Sequence, residues 1–201
     1  MRYTIFDTMV VNTVLHYLAV LYMKLSGWRK EGCVPDEPKY VMIAAPHTSN
    51  WDLFYTLVLA FAFQIKVFWL GKQAIFRPPF KRICEWLGGI PIDRSKSNNM
   101  VSQSIQIFKE NERMILIVPP EGTRKKVRYW KTGFYYIAHG ACVPIALGYV
   151  DYKRKVGGIG PMFKPTGNIE TDMKDIQAFY ANVTGKRPDL TSRESIKTKT
   201  G

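Results

Sequence analysis

Residues 40–45, YVMIAA, form an unbroken apolar run that Pro46 stops, and a second apolar stretch of helical length, 50–63, follows at once. A short continuous run of this kind reads as a buried strand, and proline cannot carry it further. The pairing of short run and helical stretch recurs downstream. IKVFWLG (65–71) reads as a strand that Gly71 ends, PFKRICEWL (79–87) as a short helix, 98–110 as a helix with Val101, Ile105 and Phe108 on one face, and RMILIV (113–118) as a strand. WKTGFYYIAH (130–139) reads as a helix ended by Gly140, ACVPIALGYV (141–150) as a buried strand, KRKVGGIGP (153–161) as a basic Gly-rich turn, and 171–183 as a closing helix. This alternation predicts an α/β fold, a single domain with a largely parallel central sheet flanked by helices, whose loops carry the chemistry. A length of 201 residues suits one such domain.

Residues 3–23 are apolar but interrupted by Asp7, Asn12 and His16. A membrane span resists charge near its centre, whereas a polar stripe along one side predicts an amphipathic helix lying on a bilayer. Trp28, Arg29 and Lys30 then stand where headgroups would meet the helix end. The alternative is a helix packed on the core. Only Arg2 precedes the run, so a cleavable signal peptide is not expected. The expected organisation is an N-terminal membrane-associating helix over 1–30, the α/β domain over 31–190 and a polar tail over 191–201.

The net charge of +13 calls for an anionic partner: phosphate esters, nucleic acid or anionic lipid. Apolar stretches concentrated at 3–23 and 53–70 favour lipid, and no dense basic stripe with interleaved aromatics supports nucleic acid. Cys33, Cys84 and Cys142 lie far apart without a CxxC pair, which predicts free thiols, a reducing compartment and no metal.

PHTSNWD (46–52) puts His47 five residues before Asp52. In a continuous helix that spacing takes the two side chains off a common face. A turn is the better geometry: Pro46 ends the strand, Thr48 or Ser49 caps a helix, and Asp52 in its first turns reaches back to the imidazole. A carboxylate that fixes the tautomer of a histidine and stabilises its cation makes a general base near neutral pH. A rival pair, His139 and Cys142 in HGAC, is set aside because Gly140 ends a helix between them and Cys142 opens a buried strand.

Four segments in order, PHTSNWD (46–52), GGIPIDR (88–94), PPEGTR (119–124) and VPIA (143–146), resemble the glycerolipid acyltransferase superfamily, the 1-acyl-sn-glycerol-3-phosphate acyltransferases, over about residues 38–150. The resemblance implies transfer of a fatty acyl chain from acyl-CoA or acyl carrier protein, with no further cofactor, to a lysophospholipid hydroxyl. The acceptor it favours is 1-acyl-glycerol-3-phosphate, giving phosphatidic acid, at the cytoplasmic face of a membrane by peripheral or monotopic attachment. His47 would take the acceptor proton, Asp52 would orient it, and no acyl-enzyme would form. Backbone N–H groups or Lys72 would meet the oxyanion. Arg94 and Arg124, with Gly122 and Thr123, would hold the acceptor phosphate, and Glu121 would steady one of those arginines or bind an acceptor hydroxyl. Pro46, where many members carry Asn, and PIDR, where an aromatic-containing block is common, leave open a different acceptor. A catalytically silent lipid-binding protein at a membrane surface would need neither His47 nor Asp52, and both are present.

Overall fold

Each apolar run becomes a strand and each longer stretch a helix. A computed structural model describes residues 3–93 and 97–191. In chain order it contains α1 (Met9–Ser26), β1 (Arg29–Glu31), β2 (Lys39–Ala45), α2 (Trp51–Phe63), β3 (Val67–Lys72), α3 (Lys81–Trp86) and β4 (Gly89–Ile92). Then come α4 (Ser97–Glu110), β5 (Met114–Val118), α5 (Gly133–Ala141), β6 (Ile145–Asp151), β7 (Val156–Phe163) and α6 (Ile169–Tyr180). The strands form one sheet in the order β1-β7-β6-β2-β5-β3-β4. Strands β6, β2, β5, β3 and β4 run parallel, whereas β7 is antiparallel to β6 and carries β1 beside it. The domain is therefore α/β with a largely parallel sheet.

Side-chain alternation along β2 divides the core in two. Val41, Ile43 and Ala45 pack with Leu116, Ile145 and Leu147 under Phe134, Ile137, Met173 and Ile176 of α5 and α6. Tyr40 and Met42 face the other way, with Val67, Ile117 and Ala146, under Val58, Leu59 and Ala60 of α2 and Ala19 and Met23 of α1. Helices thus cover both faces, as a parallel sheet requires.

Helix α1 inverts the usual arrangement of a surface helix. Its polar stripe points inward: His16 Nδ1 lies 2.9 Å from the Phe61 carbonyl oxygen and Asn12 Nδ2 donates to the Phe6 carbonyl at 3.0 Å. Just ahead of the helix, Asp7 pairs with Lys66 at 2.6 Å. The opposite side, Val10, Val14, Tyr17, Leu18, Leu21 and Leu25, is exposed. By length and composition alone Met9–Ser26 is also sufficient to cross a membrane.

Three local expectations need correction. The turn expected over 153–161 is confined to Tyr152–Lys155, and Gly157, Gly158 and Gly160 lie within β7. Helix α5 runs through Gly140, because a Cβ there would sit 2.5 Å from Ile105 Cδ1 of α4; the glycine permits close helix packing instead of ending the helix. Cys142 does not open the following strand; it is exposed, caps α5 with φ 54°, and β6 begins at Ile145.

The β7 glycines leave room over the sheet. A Cβ on Gly157 would meet the end of the Leu59 side chain at 2.3 Å, and one on Gly158 would meet the main-chain oxygen of Glu31 at 2.4 Å. A side-chain end can swing away, whereas the paired backbone of β1 cannot. Gly158→Ala is expected to cost about 1–3 kcal/mol and Gly157→Ala less, measured by urea unfolding; equal costs would contradict this packing.

Candidate active site

Strands β2 and β5 are parallel neighbours, paired up to Ile43 and Val118, so the loops leaving them emerge side by side at the carboxyl edge of the sheet. PHTSNWD leaves β2 through the cis Ala45–Pro46 peptide, and PPEGTR leaves β5. The main-chain N–H of His47 donates to Glu121 Oε1 at 3.1 Å, joining the two loops directly.

His47 Nδ1 lies 3.3 Å from Asp52 Oδ2, with the carboxylate buried and the imidazole 24 % exposed. The same Oδ2 accepts the main-chain N–H groups of Thr48 at 2.7 Å and Ser49 at 2.8 Å. Asp52 Oδ1 accepts the Tyr152 hydroxyl at 2.8 Å. Burial alone would raise the Asp52 carboxyl, but hydrogen bonds from His47, Tyr152, Ser49 and Thr48 hold it below the ordinary carboxylate value. Its place in the first turn of α2, at the positive end of the helix, acts in the same direction. Asp52 therefore organises this helix start together with Ser49, whose Oγ accepts the N–H of Trp51, the first residue of α2, at 3.3 Å; the Thr48 side chain takes no part in the cap. Asn50 stands at the N-cap, and the Thr48 hydroxyl instead accepts the N–H of Arg187 at 3.1 Å.

Glu121 is 2 % exposed. Burial pushes its carboxyl above the ordinary value, opposed by hydrogen bonds from its own N–H and that of His47. Among the described residues its Oε2 has no hydrogen-bond partner. Its observed contact is with the His47 main chain; of the two arginines expected beside it, Arg94 lies outside the described residues. Arg124 Nη1 instead donates to Asn50 Oδ1, the helix N-cap.

A cavity of about 570 Å³ opens beneath His47 and Asp52. Asn50, Arg124 and Lys131 line it together with the pair, and Leu57, Ala60, Phe63, Val67 and Ile117 line its apolar part. Lining residues at both ends of α2 mean that it follows that helix, whose 13 residues span roughly 20 Å. Gly148 and Gly158 lie along its sheet side. The volume lies within the range of small-molecule sites.

The other expected site residues are less closely gathered. Gly122 lines the cavity with φ +64°, and Lys131 packs over it at 3.1 Å from where a Cβ would stand. Thr123 Oγ1 accepts the Lys125 N–H at 3.3 Å within its own loop. Lys72 ends β3 at the same sheet edge, exposed and outside the cavity lining. Arg94 lies outside the described residues. His139 and Cys142, at the end of α5, precede β6 and so lie at the opposite edge of the sheet. Among the described residues no group of three or more His, Cys, Asp or Glu is placed to hold a metal ion.

Sequence reasoning missed Tyr152 and Lys131, and it singled out Asn50 only as a member of PHTSNWD. Tyr152 reaches Asp52 across 100 residues because the β6–β7 turn lies over the helix start, where its N–H donates to the Thr184 carbonyl at 2.9 Å. Lys131 could have been flagged only as a cation soon after PPEGTR; its N–H donates to the Pro120 carbonyl at 2.8 Å and so fixes it beside that loop.

The structure is similar to that of the 1-acyl-sn-glycerophosphate acyltransferase PlsC from Thermotoga maritima, with a TM-score of 0.56 and 17 % sequence identity over 87 % of this chain and 82 % of that one. No curated protein matches the chain. Residues 29–148, more than half of the chain, match the acyltransferase family, and this span holds all four motifs, the His47–Asp52 pair and the Glu121 loop: the chain belongs to the acyltransferase family.

Proposed function

We propose that this protein transfers a fatty acyl chain from acyl-CoA or acyl carrier protein to a lysophospholipid hydroxyl, with 1-acyl-glycerol-3-phosphate as the acceptor and phosphatidic acid as the product. The observation that carries this reading is a His–Asp pair opening onto a long apolar cavity with Arg124 and Lys131 on its wall. The family membership supports the reaction class. A purely lipid-binding protein would have use for the cavity, but not for an ionised carboxylate held beneath a partly exposed imidazole.

With Nδ1 turned to Asp52, His47 Nε2 takes the proton of the acceptor hydroxyl. The alkoxide oxygen attacks the thioester carbonyl carbon, and the carbonyl electron pair moves to oxygen. Collapse of the tetrahedral intermediate breaks the carbon–sulfur bond, and the imidazolium returns the proton to the leaving thiolate. Asp52 stabilises the imidazolium meanwhile. The apolar cavity takes the acyl chain; Arg124 and Lys131, joined by Arg94, take the acceptor phosphate, and backbone N–H groups or Lys72 at the neighbouring strand end meet the oxyanion. Glu121 acts as a positioning residue that holds the His47 main chain. The outward apolar side of α1, with the exposed Trp51, Leu53 and Phe54 at the start of α2, brings the site to a membrane surface. Residues 1–30 thus form the attachment, peripheral or monotopic, on the cytoplasmic face where the thioester donors are.

His47→Ala is expected to lower kcat/KM about 10²- to 10⁴-fold with the melting temperature unchanged, followed by mass spectrometry of products from labelled acyl-CoA and a lysolipid panel. Wild-type turnover in that variant would end the general-base assignment. Arg124→Ala should raise the acceptor KM about tenfold or more and leave the donor KM unaltered; parallel rises in both would exclude a phosphate contact. Tyr152→Phe removes one of the hydrogen bonds that hold the Asp52 carboxyl down. Asp52 then takes its proton at higher pH, so the stability that its ionised form contributes is lost at higher pH as the solution is acidified, read by acid unfolding. At neutral pH kcat falls about tenfold with little change in either KM. An unmoved acid-unfolding midpoint with wild-type kcat would leave Tyr152 a packing role only.

A further inference from the structure

Between β3 and β4 the chain carries an outward face that the catalytic site does not use. The segment begins at the carboxyl end of β3, passes through a 3-10 turn at Gln73–Ile75 and ends in α3. Phe76 turns in beside Trp69, ring centroids 5.9 Å apart. Phe80 at 62 % and Ile83 at 55 % point outward, with Ile75 partly exposed beside them. Arg77, Lys81 and Arg82 are exposed among these apolar residues, and Glu85 is the only acid between residues 72 and 86.

The segment is held firmly and lies in the same layer as α1. The Trp86 indole N–H donates to Thr8 Oγ1 at 3.2 Å, and Trp86 and Leu87 pack against the cluster that contains Ile5 and Phe6. The segment is thus anchored beside the start of α1, and both present exposed apolar residues, Phe80 and Ile83 here and Val10 and Val14 on the helix. Cations interleaved with a phenylalanine and isoleucines suit the boundary between headgroups and acyl chains, where apolar groups enter and basic side chains extend to phosphate.

We propose that residues 75–83 form a second membrane contact, docking on a bilayer that contains anionic phospholipid. This rests on the membrane-surface reading given above for α1. Two contacts in one layer fix the orientation of the protein on the bilayer as well as its attachment: the segment starts at the sheet edge where the His47 loop opens, so the cavity mouth faces the lipid.

The test uses the full chain and sedimentation with vesicles of phosphatidylcholine alone or mixed in equal parts with phosphatidylglycerol. Removing all three cations, Arg77→Gln, Lys81→Gln and Arg82→Gln, is expected to weaken binding to the mixed vesicles about a hundredfold and to leave binding to neutral vesicles unchanged. Phe80→Ser with Ile83→Ser should weaken binding to both. Unchanged vesicle binding in both variants overturns the proposal. So does loss of binding to soluble acyl carrier protein with vesicle binding intact, which assigns the face to an acidic protein. Activity on a short-chain lysolipid below its micelle concentration stays at the wild-type level in both variants, so this contact and the acyl-transfer reading fail separately.

Discussion

Asp52 is where this molecule spends its polar contacts. One buried carboxylate accepts two main-chain N–H groups and a tyrosine hydroxyl and faces the His47 imidazole. A buried charge is tolerated only when its lone pairs are satisfied, and here the partners come from separate parts of the chain. Two come from the loop that carries His47, one from the β6–β7 turn, and the helix start beneath adds its own field. The loop therefore cannot relax without exposing or orphaning the carboxylate. The ordered imidazole is a consequence of that constraint.

Glu121 is built on the opposite principle. It is buried, has one satisfied oxygen among the described residues, and is pushed toward its neutral form. Two carboxyls thus lie on either side of one histidine, one held ionised and the other biased toward the acid. Environments that push such groups apart divide their roles: in the proposed transfer Asp52 carries the charge that answers the imidazolium, while Glu121 fixes the backbone of the same histidine.

The architecture was legible in the sequence because short apolar runs and helical stretches alternate, and because His47, Asp52 and the Glu121 loop sit at strand ends. Four pieces of information were not. Glycines in KRKVGGIGP resemble a turn locally, yet they are a strand thinned for α2 and β1 to approach. Gly140 looks like a stop and is a close helix contact. The partners of the site residues are set by which loops share a sheet edge, so Arg124 on Asn50, Glu121 on His47 and Tyr152 on Asp52 follow no spacing rule. The polar stripe of α1 was visible, but only the packing against Phe61 and Lys66 tells which side faces the protein.

The clamp over the His47 loop has one more consequence, for assembly. All four recognisable motifs end by residue 146, yet the hydroxyl that completes Asp52 is on Tyr152, and the segment beyond α6 that holds Thr48 does so through Arg187. A growing chain can carry every motif and still have a loose histidine. An ordered His47 therefore arrives late in synthesis, after the antiparallel β7 has doubled back and the segment beyond α6 has closed over the loop.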